Sequence, residues 1–301
     1  MFSNFRQSEA YASYMRQLGW TTPSYKIGKN KLFAFVKKIP FISISVMKMQ
    51  RVPAAWLDWE WIEHIERTFK VFQSNIETNE TSIVKPQANC EIIKHGFSET
   101  NDYLLVSKSR IIQINTPDEA EILAKMAPKT RYNIHLGKRR ELKCGFYTGT
   151  QLANQPELEA RYRQILSDNA KRIGMYLIPW PWISRLYTSF GTNAWIGVVT
   201  HLKKPEWLAS ALFIRTKDAL FYHFNGSTEL GRKWMGPSLL IWEAIRKARD
   251  SGCSWFDFEG VYDDRFPKQQ AKFKGFSQFK TGFGGQAYYF EPLYRRWRWP
   301  Y

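Results

Sequence analysis

The sequence predicts a mixed α/β protein, and three observations lead to that class. Helical and extended patterns alternate along the chain, each bounded by capping or turn residues. Strand, helix and strand are interleaved with antiparallel neighbours, which argues against a doubly wound parallel sheet. The 301 residues are 44% apolar and 16% aromatic, which is enough for a substantial core in one large or two medium domains.

In the first part of the chain, Ser8 is expected to cap a helix that ends near Leu18, where Gly19 supplies the stop. The pattern that follows predicts strands over 31–36 and 41–47, a helix over 58–72 and a polar loop over 74–80. After a strand over 110–114, the residues TPDE predict a helix start with Thr116 as the cap and Pro117 at the first helical position.

Pro128 interrupts that helix, and a second, basic helix follows with the cations Arg131, Lys138, Arg139 and Arg140. A change of composition over 144–155 marks the predicted domain boundary. Beyond it the pattern predicts a charged helix over 156–172, strands over 194–201, 208–215 and 219–224, and an amphipathic helix from Pro237 to Gly252.

The charge balance limits the classes of partner. Lysine and arginine number 44 against 27 acidic residues, a formal net charge of +17. This excess indicates a polyanionic partner, which leaves open a nucleic acid, a nucleotide-sugar pyrophosphate and an anionic membrane face.

Cysteines and apolar runs bear on compartment and cofactors. Three widely spaced cysteines, Cys90, Cys144 and Cys253, form no metal-ligand pair, so we expect a reduced, cytoplasmic protein with no metal. We also expect a monomer that uses no cofactor. The start of the chain lacks the apolar core of a signal peptide, and the run over 41–47 is far shorter than the roughly 20 residues of a spanning helix. We therefore expect a soluble or at most peripheral protein.

The segment FKGFSQFKTGFGG, residues 273–285, places aromatic rings beside cations. Rings can stack on unpaired bases and ammonium groups can meet phosphates, which suits a single-stranded nucleic acid end. A buried strand edge with solvated lysines is the alternative. The residues concerned are Phe273, Phe276, Phe279 and Phe283 with Lys272, Lys274 and Lys280.

This segment is the last of four that occur in a fixed order: QSEAYASYMRQLGW from Gln7, KTRYNI from Lys129, GPSLLIWEAIRKARDSGCSWFDFE from Gly236, and FKTGFG from Phe279. Together they resemble the FemABX family, peptidoglycan bridge-forming aminoacyltransferases that use aminoacyl-tRNA as donor, and the similarity covers nearly the whole chain. The resemblance implies two acetyltransferase-like (GNAT) domains. We place them at residues 1–143, completed by 286–301, and at 144–285.

The resemblance also implies a donor site. In the family, the Phe-Lys pair of this segment meets the aminoacyl end of the tRNA, so the roles fall on Phe279, which would stack, and Lys280, which would stabilise the oxyanion. Expected tRNA contacts are Lys272, Lys274, Phe276 and Arg131, although Arg131 equally suits a bridge between the domains.

On the acceptor side the sequence departs from the family. Met15 stands where relatives often carry a lysine for the sugar-nucleotide phosphates, and Ile178 and Trp182 stand where they place an arginine and a tyrosine. Lipid II is therefore expected over UDP-linked muramyl-pentapeptide as the acceptor, with the membrane reached peripherally. Candidate acceptor contacts are Arg16, Trp182, Arg185, Tyr222 and Phe224, the last two equally explained by strand packing.

Other residues have two interpretations each. The five histidines are scattered, as packed or solvated ones are. Asp257 and Glu259 alternate along a predicted strand, which suits either paired-acid chemistry or a structural carboxylate bonded to backbone amides. The tail RRWRWPY suits a membrane-interface anchor or a strand edge.

Two other functions remain as alternatives. An acyl-CoA N-acyltransferase on the same fold would need a glycine-rich pyrophosphate loop, and GRKWMGPS departs from it because Met235 and Pro237 occupy glycine positions. A non-catalytic RNA-binding module would explain the charge and the aromatics but not the order of the four segments.

Overall fold

A computed structural model describes residues 4–299, and within them two compact units. The first unit comprises residues 4–109, 260–273 and 287–299, and the second comprises 110–259 and 274–286. The predicted division at residue 144 differs from this one, because the strand, helices and loops of 110–143 pack into the second unit. Residues 260–273 belong to the first unit although they lie inside the predicted second domain.

The helices are α1 (Glu9–Gln17), α2 (Trp59–Thr68), α3 (Cys90–Lys94), α4 (Glu119–Ala124), α5 (Pro128–Arg139), α6 (Gly149–Ala153), α7 (Pro156–Ile173), α8 (Trp180–Phe190), α9 (Glu229–Lys233), α10 (Gly236–Asp250) and α11 (Phe273–Thr281). The strands are β1 (Ser24–Ile27), β2 (Asn30–Phe33), β3 (Phe35–Lys38), β4 (Ser45–Val52), β5 (Val71–Thr78), β6 (Thr81–Ser82), β7 (Ser98–Thr100), β8 (Lys108–Gln113), β9 (Leu142–Thr148), β10 (Ala194–His201), β11 (Lys204–Arg215), β12 (Ala219–Ser227), β13 (Trp255–Asp257), β14 (Gln286–Phe290) and β15 (Leu293–Trp297). The mixed α/β class is confirmed.

The first unit is built on a five-stranded sheet in the order β3-β4-β5-β15-β7. Strands β4 and β5 are parallel and joined through α2, whereas the other neighbours are antiparallel. The carboxyl-terminal strand β15 lies between β5 and β7 over residues 293–295. Within the described residues, Arg296 and Trp297 pair with β5 and extend past β7, so the start of the tail is interior and its continuation is a strand edge. Pro300 and Tyr301 of the tail lie outside the described residues.

Strand β5 corrects the expectation of a polar loop over 74–80. Four of its polar side chains, Ser74, Asn75, Glu77 and Thr78, are buried. The Ser74 hydroxyl donates to Glu66 Oε1 at 2.5 Å, and the Thr78 hydroxyl donates to Glu291 Oε2 at 2.7 Å. The predicted helix over 58–72 ends at Thr68, and Lys70 turns the chain with a φ of 51°. A polar strand is stable here because its hydrogen bonds are satisfied internally.

Two other boundaries in the first unit differ from the predicted ones. The strand expected over 31–36 is broken at Ala34 into β2 and β3, because its first half pairs with β1 and its second half with β4. The strand expected over 41–47 begins at Ser45, because residues 39–44 form the turn between β3 and β4. By contrast, Ser8 caps α1 as expected, and Gly19 follows the helix with a φ of 79°.

The second unit holds strands in the order β8-β13-β12-β11-β10-β9. Strands β12 and β13 are parallel and joined through α10, which packs against α5. Buried apolar residues from the sheet and α10 form its core, among them Phe213, Leu240, Ile241, Trp242, Phe256 and Phe283. The cap of α4 is Asp118 and not Thr116, since Asp118 Oδ1 accepts from the Ala120 amide at 2.8 Å while the Thr116 hydroxyl donates to Glu121.

Candidate active site around Lys280

Lys280 is a buried lysine held by backbone carbonyls. It lies in the last turn of α11, and only 7% of it is exposed. Its ammonium donates to the Phe258 carbonyl at 2.8 Å and to the Glu259 carbonyl at 2.9 Å. The segment is therefore a helix followed by a glycine-rich loop, and Lys280 is not the solvated lysine that the alternative interpretation required.

The separation of two parallel strands explains this position. Strands β12 and β13 pair from Ala219 and Trp255 to Phe221 and Asp257, and the pairing ends there. The carbonyls of Phe258 and Glu259 follow directly, beyond the last pair, and Lys280 donates to both. Because buried carbonyls need donors, the ammonium is fixed at the point where the strands part.

Burial sets the charge behaviour of the lysine. Desolvation lowers the pKa of Lys280 to about 8, while the carboxylates of Glu259 and Asp257 oppose this shift by favouring the charged form. At neutral pH the side chain is still mostly protonated. It is a fixed positive charge in a largely dry environment, with a pKa close to the physiological range.

Aromatic rings surround the ammonium. The Lys280 Nζ atom lies 5.7 Å from the centre of the Tyr222 ring and 5.4 Å from that of Phe276. Tyr222 is buried, which raises the pKa of its hydroxyl well above the ordinary value and keeps it neutral. The structure thus brings together three of the residues singled out in the sequence.

Phe279 has aromatic partners within the second unit. Its ring packs edge-on against Phe283 at 5.3 Å, and Phe283 in turn contacts Phe258 at 5.5 Å between ring centres. Phe279 is half-buried at the margin of the core of the second unit. It supports the loop that follows Lys280, in addition to any surface that it presents for stacking.

The structure adds an acid–base pair that the sequence did not single out. Glu259 has a φ of 46°, a conformation rare for a residue other than glycine, and its side chain is 7% exposed. Its Oε2 atom lies 3.9 Å from Nε2 of His223, which is next to Tyr222 on β12. His223 looked like one of five scattered histidines because the chain separates it from Glu259 by 36 positions, and only the pairing of β12 with β13 brings them near.

Asp257 has a structural role in this arrangement. It is 1% exposed, and its Oδ1 atom accepts from the Glu259 amide at 2.8 Å. Asp257 is the last residue of β13. The hydrogen bond that it accepts from the Glu259 amide helps to hold Glu259 in its left-handed conformation. Of the two interpretations, the structural carboxylate describes Asp257, whereas Glu259 faces His223.

The remaining candidate residues are spread over both units. Arg16 lies on α1 in the first unit, where its guanidinium donates to the Thr22 hydroxyl at 2.7 Å. Trp182 and Arg185 are exposed on α8, which packs against α6 and β10 in the second unit. Phe224 is half-buried beside His223, at 5.6 Å between ring centres.

The cations expected to contact tRNA also differ in their surroundings. Lys272 and Lys274 are exposed, and they fall in the first and the second unit, respectively. The Arg131 guanidinium donates to the carbonyls of Met126 and Ala124 within the second unit. It thereby holds the connection between α4 and α5, a role that neither interpretation of the sequence foresaw.

Comparison with solved structures shows which folds this chain resembles. The chain is similar to the solved tandem GNAT protein of the clavulanic acid biosynthesis pathway, with 8% identity, coverage of 90% of this chain and 81% of that one, and a TM-score of 0.52. The C-terminal domain of a putative lysylphosphatidylglycerol synthetase from Agrobacterium fabrum has 13% identity, covers 96% and 87%, and gives a TM-score of 0.62.

The family likeness is more specific. Residues 193–290, which include His223, Glu259 and Lys280, match the model of the FemAB family. The solved structure of FemX has 13% identity to this chain, covers 98% of it and 92% of that chain, and gives a TM-score of 0.80. A search of curated protein sequences finds no match. The resemblance to the FemABX family that the sequence indicates is confirmed.

Proposed function

We propose that this protein moves an amino acid from aminoacyl-tRNA to an amine of a peptidoglycan precursor, forming an interpeptide bridge. The observation that carries the proposal is the position of Lys280, a buried cation held by two carbonyls where β12 and β13 part, inside the segment that matches the FemAB family. The FemABX resemblance supplies the donor and acceptor classes.

The chemistry fits such a site. The acceptor amine forms a bond to the ester carbonyl carbon, the carbon–oxygen bond to the ribose breaks, the amine loses a proton and the ribose hydroxyl gains one. Charge develops on the carbonyl oxygen before the ester bond breaks, and a fixed cation in a dry site stabilises it without reorganisation. Lys280 supplies that cation, and its two carbonyl partners keep it in place.

His223 and Glu259 supply the proton-transfer capacity of the proposal. They are adjacent, largely buried and next to the carbonyl that holds Lys280. Proton transfer from the attacking amine needs a proton acceptor, and the imidazole nitrogen and the carboxylate are the groups of this pair that can serve.

The donor would be held through its phosphates as well as its aminoacyl end. Exposed cations of α5 and the residues that follow it form a basic surface in the second unit: Lys129, Lys138, Arg139, Arg140 and Lys143. Such a surface attracts a nucleic acid backbone of any sequence. In this proposal the buried Lys280 acts at the aminoacyl end of the tRNA, and the basic surface binds the phosphates of the tRNA body.

For the acceptor we propose lipid II over a UDP-linked precursor. Met15 is 1% exposed and packs in the interior, so the position where relatives often carry a phosphate-binding lysine contributes no charge here. Ile178 and Trp182 likewise bring no cation. A membrane-held acceptor tolerates weaker phosphate contacts, since binding at a surface raises its local concentration.

An acyl-CoA donor has less support. The first turn of α10 is where a pyrophosphate would need free amides, yet the Ser238 and Leu239 amides donate to the Met235 carbonyl at 3.0 and 3.2 Å. Pro237 has no amide to offer.

The test supplies the purified protein with charged tRNA and three acceptors in parallel: lipid II, UDP-linked muramyl-pentapeptide, and phosphatidylglycerol. The expected result is tRNA-dependent transfer that is fastest with lipid II. Faster transfer to the UDP-linked precursor contradicts the choice of acceptor. Transfer to phosphatidylglycerol alone, or acylation from acetyl-CoA without tRNA, contradicts the function as a whole.

A further inference from the structure

One end of the first-unit sheet carries a cluster of exposed apolar side chains. Val46, Gln73 and Trp297 lie in one row across β4, β5 and β15, so their backbones span two strand spacings, about 10 Å. The turn over 39–44 precedes β4, and Arg298 follows β15, so both project beyond this row at the same end of the sheet.

The side chains at this end are large and open to solvent. Phe41 at the tip of the turn is fully exposed and Ile42 beside it is half-exposed, while Trp297 and Trp299 are 63% and 94% exposed. Single exposed apolar residues are ordinary on a soluble protein, but four at one end of a sheet are not. We call these four residues the hairpin–tryptophan surface.

The surface is also electropositive. Residues 10–57 contain no Asp or Glu, and neither do residues 292–299. Lys38 and Lys70 are exposed at the same sheet end, next to the strand termini. The nearby carboxylates form ion pairs with arginines of the tail: Glu63 pairs with Arg298, and Glu66 pairs with both Arg296 and Arg298.

Contacts with Phe72 fix the tryptophan side of the hairpin–tryptophan surface. The Trp297 ring packs against Phe72 at 5.6 Å, and the Arg298 amide donates to the Phe72 carbonyl at 2.8 Å. Phe41 has a φ of 67°, a conformation that disfavours an aromatic residue and favours glycine. A strained backbone that displays an apolar ring in water indicates a requirement other than stability.

We propose that the hairpin–tryptophan surface docks onto an anionic lipid bilayer. Tryptophan and phenylalanine enter the headgroup region, and the flanking lysines attract acidic lipids. No helix within residues 4–299 is long and apolar enough to cross a membrane, so the contact would be peripheral. The inference rests on the first unit alone and holds whether or not the second unit transfers amino acids.

The experiment measures binding of the full-length protein to vesicles of phosphatidylcholine with about 30% phosphatidylglycerol, and to vesicles of phosphatidylcholine alone. The parental protein should bind the anionic vesicles and release them at high salt. The triple variant Phe41→Ser/Ile42→Ser/Trp299→Ser should bind about tenfold more weakly or worse. The matched control is Tyr176→Ser, an exposed aromatic of the second unit, and it should bind like the parental protein.

A further variant separates docking from folding. Phe41→Gly removes the ring and also relieves the backbone conformation, so it should raise the melting temperature while weakening vesicle binding. Absence of parental binding to anionic vesicles overturns the proposal, and so does a triple variant that binds like the parental protein. Loss of tRNA affinity in the triple variant, with vesicle binding unchanged, would assign the surface to nucleic acid instead.

Discussion

Thr130 and Gly282 approach each other so closely that no side chain fits between them. A Cβ atom placed on Gly282 would lie 2.3 Å from the Thr130 hydroxyl oxygen, and the Gly282 carbonyl accepts from the Ala127 amide at 2.9 Å. Thr130 belongs to KTRYNI and Gly282 to FKTGFGG. The two segments are far apart in the sequence but pack together in the fold, and their contact positions the helix that carries Lys280.

This contact predicts a selective loss of stability. Gly282→Ala should lower the free energy of unfolding by about 1 to 3 kcal/mol, because the added methyl group must displace Thr130 or the loop. The double variant Thr130→Ala/Gly282→Ala should recover part of that loss, since the clashing hydroxyl is gone. Equilibrium denaturation by urea measures both.

The matched control is Gly275→Ala in the same helix. Apart from its chain neighbours and the backbone of its own helix, no atom lies within 4 Å of where its Cβ would be, so this change should stabilise by about 0.5 to 1 kcal/mol through helix propensity. Equal destabilisation by the two alanine substitutions would show that the approach of Thr130 to Gly282 is not what the loop requires.

The buried lysine predicts a pH-dependent stability. Burial holds the pKa of Lys280 at about 8 in the folded protein, below its ordinary 10.5, so unfolding between these pH values takes up a proton. The contribution of Lys280 to the free energy of unfolding therefore increases as the pH rises from 8 to 10.5. The free energy of unfolding of Lys280→Met, subtracted from that of the parental protein at each pH, isolates this contribution. A difference that does not change with pH over the window would show that the lysine keeps its ordinary pKa.

The charge of Glu259 should affect the pKa of Lys280 and therefore the pH dependence of the reaction. Its carboxylate raises the pKa of Lys280 against the effect of burial, so Glu259→Gln should lower that pKa further. If the protonated lysine is the active form, the alkaline limb of the pH–rate profile should move to lower pH. Glu206→Gln, a change at an exposed glutamate of the same unit, serves as the control and should leave the limb in place. A limb that moves upward, or equally in both variants, would contradict the assignment.

Binding of tRNA should depend strongly on salt. With a net charge of +17 and exposed cations along α5, the logarithm of affinity should fall with the logarithm of salt concentration with a slope of several units. The double variant Arg139→Gln/Arg140→Gln should reduce that slope by about 1 to 2 units. Fluorescence titration at several salt concentrations gives both slopes, and an affinity independent of salt would exclude phosphate recognition by this surface.

Regular elements of this fold follow from local sequence signals. Ser8 and Gly19 bound α1, Pro156 opens α7, and the apolar face of α10 matches its buried residues, because each signal lies within a few positions of what it determines. Strand β5 was missed because its polar side chains are satisfied by residues such as Glu291, more than 200 positions away. The local sequence pattern around β5 contains no information about a partner so far along the chain.

Several residues of the candidate site can be predicted from the sequence, whereas their contacts cannot. Lys280, Phe279 and Tyr222 are all predicted through the family resemblance, and strand packing is the alternative explanation for Tyr222. The burial of Lys280 and the approach of His223 to Glu259 depend on where the parallel strands β12 and β13 stop pairing. Lys280 on α11 donates to the two carbonyls just beyond that endpoint, and no local signal in WFDFEG reveals this contact.

The most direct test of the account is the rate of amino acid transfer by Lys280→Met with charged tRNA and lipid II. Loss of one positioned donor to an oxyanion typically costs 10²–10³ in rate, so the variant should be slower by about that factor. Because Lys280 also bonds to two buried carbonyls, the comparison requires variants shown to be folded by circular dichroism and to bind tRNA normally. Lys217→Met, at an exposed lysine, controls for the loss of one charge and should transfer at the parental rate. A folded Lys280→Met protein that transfers at the parental rate would contradict the central claim.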